Sequence, residues 1–164
     1  MKSNKSSKID LSKYTDENLL DLRIQLDGEL KKRKIKFSVG ELGETLTVGF
    51  FNRTPGLPNL QKAPTGVKNV DALSRDGHRY SIKSVQVAKK TGTIYPDVTK
   101  PDLQLFEFLV ITQLDQNLQM RRLYRFSWEQ FVALRAWDKR MNAWYVPLSE
   151  NRLKKAEKLF STNE

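Results

Sequence analysis

Residues 106–114, Phe-Glu-Phe-Leu-Val-Ile-Thr-Gln-Leu, are almost continuously apolar. A strand that reads this way is buried on both faces, as the central strand of a covered sheet is. The flanking sequence supplies helices and strands to cover it. Thr15 with Asp16 and Glu17 opens a helix to about Leu30, closed by the cations Lys31, Lys32, Arg33 and Lys34. Ser38-Val39-Gly40-Glu41 reads as a capping box for a second helix to roughly Phe51. Gly40 and Gly43 weaken that helix, so their presence points to close packing or a functional approach. Residues 52–66 form a loop with room for one short edge strand. Residues 68–73 and 79–87 read as strands joined across Ser74-Arg75-Asp76-Gly77-His78, where Asp-Gly favours a hairpin turn. Residues 88–103 are irregular, and 118–126 form another strand. Ser127 caps a helix to about Trp137, 143–146 form a last strand, and Ser149 opens a basic helix reaching Phe160. With no internal repeat and no second core, the expectation is one α/β (α+β) domain over residues 15–160. The basic residues 1–14 are expected to be disordered.

Composition narrows the chemistry. The 164 residues include no Cys and one His, at position 78. That excludes a disulfide framework, Cys-ligated zinc, iron–sulfur clusters, cysteine catalysis and any His-pair zinc site, and leaves little for a Ser–His triad. The net charge of +10 points to a polyanionic partner. Its distribution is uneven: +4 over residues 1–37, +1 over 38–120 and +5 over 121–164. Basic flanks around a balanced middle suit a recognition or catalytic centre between backbone-gripping surfaces. Ordinary solvated helix faces would look the same. No stretch approaches the ~18–20 apolar residues that cross a bilayer. The opening Met-Lys-Ser-Asn-Lys-Ser-Ser-Lys lacks the apolar region of a signal peptide, so a cytoplasmic protein without membrane contact is expected.

The most telling segment runs from Asn69 to Lys83. Strand alternation puts Ser81 and Lys83 on one face and Tyr80 and Ile82 on the other. In the preceding strand Asp71 points away from Val70 and Ala72. A hairpin therefore brings Asp71 beside Lys83 on one polar face. At minimum this is an ion pair; it is also the start of a site where a divalent metal and a cation handle phosphate charge.

An Asp on a strand, a hairpin, then a strand reading x-Ile82-Lys83 resembles the PD-(D/E)xK restriction-endonuclease-like superfamily. Gly40-Glu41-Leu42-Gly43-Glu44 looks like its Glu-bearing first core helix. Residues 17–37 resemble the Leu-rich, Arg/Lys-ending helix of a small prokaryotic branch. Phe106-Glu107-Phe108-Leu109-Val110 looks like its buried FD-x-L-V strand, and Asn142-Ala143-Trp144 resembles its late N-x-W turn. The resemblance spans residues 15–148 and implies a mixed central sheet flanked by helices. It implies a magnesium-dependent DNA endonuclease, such as a type II restriction enzyme or related defence nuclease. A homodimer and a partner methyltransferase would go with that role. By the same resemblance Asp71 is the central metal ligand and Lys83 polarises the attacking water. Glu44, or Glu41 one turn earlier, is the helix carboxylate, and the backbone carbonyl of Ile82 is a further ligand. Two positions depart from the pattern. Val70 stands where the family has Pro, and Ser81 stands where it has Glu, Asp or Gln. A neutral hydroxyl is a poorer magnesium ligand and leaves the site one negative charge short. The alternatives are therefore a nuclease-fold DNA-binding protein with impaired catalysis, or a basic interaction module with no nucleic-acid role.

Glu41 is also explained as the capping-box partner of Ser38, which favours Glu44 as the ligand. His78 reads as a turn residue rather than a base. In the C-terminal third cations alternate with aromatics. Arg121, Arg122 and Arg125 are candidates for phosphate contact, while Phe126, Phe131 and Trp144 read as core. In the 52–66 loop, Asn52, Arg53, Asn59, Gln61 and Lys62 are candidates for base-edge or minor-groove contact, or belong to a plain surface loop.

Overall fold

The computed structural model describes residues 8–162. The chain divides into two compact units, with the boundary between Phe37 and Ser38. The expected domain of residues 15–160 is thereby divided, and its first helix lies outside the unit that holds the sheet. Residues 1–7 of the tail expected to be disordered lie outside the described residues. Residues 10–14 form a short 3-10 turn around Leu11–Lys13, because the Asp10 carboxylate accepts the Ser12 N–H and hydroxyl. Helix α1 (Asp16–Lys32) follows, capped by the Thr15 hydroxyl, with acids in its first turn and lysines in its last. Arg23 pairs with Asp27 and Arg33 with Glu29, each one helical turn apart.

The second unit is built on a six-stranded sheet. Its strands are β1 (Leu60–Lys62), β2 (Ala72–Ser74), β3 (Arg79–Gln86), β4 (Phe108–Leu114), β5 (Met120–Ser127) and β8 (Glu157–Ser161). The order is β1-β2-β3-β4-β5-β8, and every neighbouring pair is antiparallel except β3–β4. Strand β4 is the buried centre that its composition requires. Leu109, Val110, Ile111 and Thr112 are all fully buried. Alternation divides the core in two. On one face helix α2 (Val39–Arg53) brings Phe51 onto Leu60, Ala72, Tyr80, Ile82, Val110 and Leu123. On the other, Val85, Leu109, Ile111, Tyr124 and Phe126 meet Phe131 and Leu134 of α3 (Trp128–Leu134), with Ile94, Val146 and Leu153. The unit is thus a mixed α+β structure whose sheet is flanked on both faces, as the sequence pattern requires.

Several boundaries differ from expectation, each for a local reason. Strand β2 begins at Ala72 rather than at residue 68, since Asn69 adopts a left-handed backbone (φ 61°) that breaks an extended run. Strand β3 ends at Gln86, where Val87 turns with φ 50°. Helix α3 has a full capping box from Ser127 and Gln130 but stops at Leu134. Beyond it β6 (Ala136–Asp138) pairs with β7 (Ala143–Tyr145) as a separate ribbon. The basic helix expected from 149 to 160 is only α4 (Glu150–Leu153), and β8 takes its place. There the tertiary context overrides helix propensity. As a strand, 157–161 extends the ladder on β5, pairs Glu157 with Arg125, and sets Phe160 edge-on to Phe50 of α2 at 5.6 Å.

Helix α2 is seated by small and hydroxyl-bearing residues. The buried hydroxyls of Thr47 and Thr112 lie 2.6 Å apart, bonding α2 to β4. One turn earlier Gly43 rests directly on β3: a Cβ there would overlap both Oγ and Cβ of Ser84. The Ser84 hydroxyl beneath it is buried with no hydrogen-bond partner among the described residues. The close approach inferred from the glycines of this helix therefore occurs at Gly43.

Candidate active site

Strand β2 pairs with β3 only briefly, Ala72 opposite Tyr80 and Leu73 opposite Arg79. The turn between them is the expected one. Gly77 adopts φ 80°, its N–H donates to the Ser74 carbonyl, and the Ser74 N–H donates to the His78 carbonyl. His78 is exposed in that turn and lies edge-on to Phe108. At Asp71 the two strands separate. Its N–H still reaches the Tyr80 carbonyl at 2.8 Å, while its carbonyl accepts from Ala63. Its carboxylate replaces the missing ladder partner, with Oδ2 accepting the Ile82 N–H at 2.6 Å. A strand residue sends its N–H and C=O to the same edge, so the Ile82 carbonyl opens onto this gap as well. The other carboxylate oxygen, Asp71 Oδ1, has no hydrogen-bond or ion-pair partner among the described residues.

Ser81 and Lys83 share the Asp71 face, as alternation requires. Ser81 is fully buried, and its hydroxyl points to Asp71 Oδ2 at 3.4 Å. Lys83 is half-buried and forms no salt bridge with Asp71, so the simple ion pair expected between them is absent. The charge that registers both groups is Glu44. Seated beside Gly43 on α2, its carboxyl is held above its ordinary acidity range. Burial is the first cause and the nearby Asp71 charge the second; Lys62 and Lys83 pull the other way, and Glu41 adds to the rise. The Asp71 and Lys83 charges are thus felt at Glu44, while α2 itself packs on the Tyr80–Ile82–Ser84 face of β3 and Asp71 and Lys83 belong to the other face. Glu41 stands in the first turn of α2, where its N–H is capped by Ser38. Lys62, from the 52–66 loop, is a neighbour that the sequence did not connect with Glu44: its ammonium donates to Thr45 at 2.9 Å. Only the pairing of β1 with β2 brings it there.

Two carboxylates and a peptide carbonyl make a hard-oxygen donor set of the kind that suits magnesium. Among the described residues no group of three or more His, Asp or Glu is suited to hold a metal. Ser81, turned toward Asp71, does not add a third acidic donor. The clamp at the start of the parallel pair is a second feature unread in the sequence. Glu107 of the FD-like motif accepts from the Arg79 N–H at 2.6 Å and from Arg79 Nε and Nη2, which keeps its carboxyl below the usual range.

The raised Glu44 carboxyl gives a measurable signature. In the folded state it binds its proton more tightly than in the unfolded chain, so stability declines as pH rises past the ordinary value of 4.5. Glu44→Gln is expected to remove that decline and to raise the melting temperature at pH 7. Thermal melts of both proteins across pH 4–8 check this; parallel curves would contradict it.

The basic candidates fare unevenly. Arg121 pairs with Asp115 at 2.6 Å, Arg122 with Glu150 at 2.7 Å and Arg125 with Glu157 at 2.7 Å. In the loop, the Asn52 amide is spent on both backbone groups of Leu60 and serves to anchor β1. Arg53, Asn59 and Gln61 are exposed, and the Arg53 guanidinium lies against Gly49. Phe126 and Phe131 are fully buried, as expected, whereas Trp144 is only partly covered. No helix among the described residues is long and apolar enough to cross a membrane. The chain matches no protein-family model and no curated protein.

Proposed function

We propose that the second unit is a magnesium-dependent endonuclease that hydrolyses phosphodiester bonds in DNA. The observation that carries this reading is the Asp71 carboxylate at the place where β2 leaves β3, held on Oδ2 by the Ile82 N–H, with the Asp71 and Lys83 charges both felt at Glu44. Asp71 and Glu44, with the Ile82 carbonyl, are the residues that would hold magnesium. When bound, the metal supplies a more acidic water and neutralises charge on the phosphate. Asp71 is oriented for this by the Ile82 N–H, which fixes Oδ2 and leaves Oδ1 free. Lys83 supplies an ammonium on the same face, to orient the attacking water and offset charge that grows on the phosphorane. Lys62, reaching α2 from β1, offsets the Glu44 charge. Cutting both strands of a duplex calls for two such sites, hence a homodimer. The restriction or defence role, and any partner methyltransferase, follow only from the resemblance.

One observation favours a second reading. Ser81 occupies the family's acidic position, is fully buried and turns its hydroxyl to Asp71. That is the arrangement expected of a nuclease-fold protein that binds DNA with impaired catalysis. Incubation of supercoiled plasmid with magnesium separates the two. The nuclease reading expects nicking or linearisation by the wild type and loss of it in Lys83→Ala. Cleavage unchanged by Lys83→Ala would sink the site, and tight binding without cleavage would establish the second reading.

A further inference from the structure

The three arginines expected to hold phosphate are each engaged with an acid, whereas the β6–β7 ribbon carries cations that are not. Its strands pair Ala136 with Tyr145, Trp137 with Trp144 and Asp138 with Ala143, leaving a four-residue tip of Lys139, Arg140, Met141 and Asn142. The tip is fixed by its own backbone. Asp138 Oδ1 accepts the N–H groups of Arg140 at 3.0 Å and Met141 at 3.1 Å, and Asn142 adopts φ 48°. Lys139 and Arg140 are exposed there, and their side chains make no hydrogen bond or ion pair among the described residues. Beside them Trp137 is 40% exposed and Met141 38%. Trp137 meets Trp144 edge-on at 4.7 Å, and Arg135 lies over the Trp144 ring at 3.8 Å.

A two-stranded ribbon with a cationic tip and an exposed aromatic flank has the dimensions and chemistry to enter a DNA groove. Its cations would meet phosphates, which position a duplex, and its indole would meet sugar or base. Its location also suits the site. Ile94 bridges to Trp144, and the next residue, Tyr95, accepts a hydrogen bond from the Asn69 amide two residues before Asp71. Val85, on the same strand face as Ser81 and Lys83, belongs to the core cluster that holds Ile94 and Val146.

We propose that the β6–β7 ribbon is the element that grips duplex DNA, with Lys139 and Arg140 on phosphates and Trp137 against the groove. This rests on the nuclease reading. The test measures binding of a fluorescent duplex oligonucleotide to the full chain without magnesium, from ~50 to ~200 mM salt. In Lys139→Ala/Arg140→Ala the log–log salt slope should become shallower by about 2, with affinity at least ~10-fold lower. Trp137→Ala should lose ~10-fold in affinity with the slope unchanged. Lys154→Ala/Lys155→Ala, which removes two exposed lysines that are not part of the ribbon, should keep the wild-type slope. Ribbon variants that match the wild type in slope and affinity, while the wild type binds and cuts DNA, overturn this inference alone. Tighter binding to the corresponding single strand overturns the duplex assignment. A wild type that binds no DNA overturns the nuclease reading along with it.

Discussion

Gly43→Ala should destabilise this protein by about 2 kcal/mol and abolish cleavage with it. Overpacking where nothing can rotate aside costs up to ~3 kcal/mol, and alanine regains ~1 kcal/mol as a helix former. Rotation of the Ser84 hydroxyl does not relieve the contact, because the new Cβ would also overlap Ser84 Cβ. Helix α2 must therefore back away from β3, taking Glu44 from Asp71 and straining the Thr47–Thr112 bond. The partner change is Ser84→Gly, which removes both overlapping atoms and leaves only ordinary contact with Ser84 Cα, at 3.7 Å. In urea denaturation the double variant should be more stable than the sum of the two single losses predicts, by more than ~1 kcal/mol. Strict additivity would show that Gly43 is not seated on Ser84.

Asp71 should separate into two roles according to what replaces it. Asparagine keeps a carbonyl oxygen that can accept from Ile82, so Asp71→Asn is expected to fold with near wild-type stability. It loses the charge, and cleavage should fall on the order of 10³-fold, the scale of several kcal/mol of transition-state stabilisation. Asp71→Ala should lose cleavage equally and in addition leave the Ile82 N–H without its 2.6 Å acceptor. That adds a loss of ~1–2 kcal/mol in denaturation. An Asp71→Asn protein that cuts as the wild type does would remove Asp71 from the chemistry. Equal destabilisation by both variants would show that the bond to Ile82 contributes nothing.

What could be read ahead of the structure follows a physical divide. The burial of β4, the Asp76-Gly77 turn, the Ser127 cap and the shared face of Asp71, Ser81 and Lys83 depend on local periodicity and turn chemistry, which neighbouring residues encode. Strand β8 does not. Residues 157–161 carry two charges and a short apolar pair, and only the open edge of β5 makes a strand of them. At the site, the capping role of Glu41 favoured Glu44 from sequence, but the rotation of α2 over β3 that seats Glu44, set by Gly43 against Ser84, was not legible there. The ion pairs that occupy Arg121, Arg122 and Arg125 were equally hidden, because two of them join residues 28 and 32 positions apart.

The Arg79–Glu107 clamp carries a consequence for the order in which the sheet assembles. The β2–β3 and β4–β5 pairs are joined by short turns and can form early. The parallel β3–β4 seam must close over the irregular segment 87–107, and so bears the larger loop entropy. The clamp lies at the first rung of that seam, where a bidentate ion pair can hold two preformed hairpins in register while the apolar faces of β4 are still being covered. Charge would then act as the latch for a step that burial later completes.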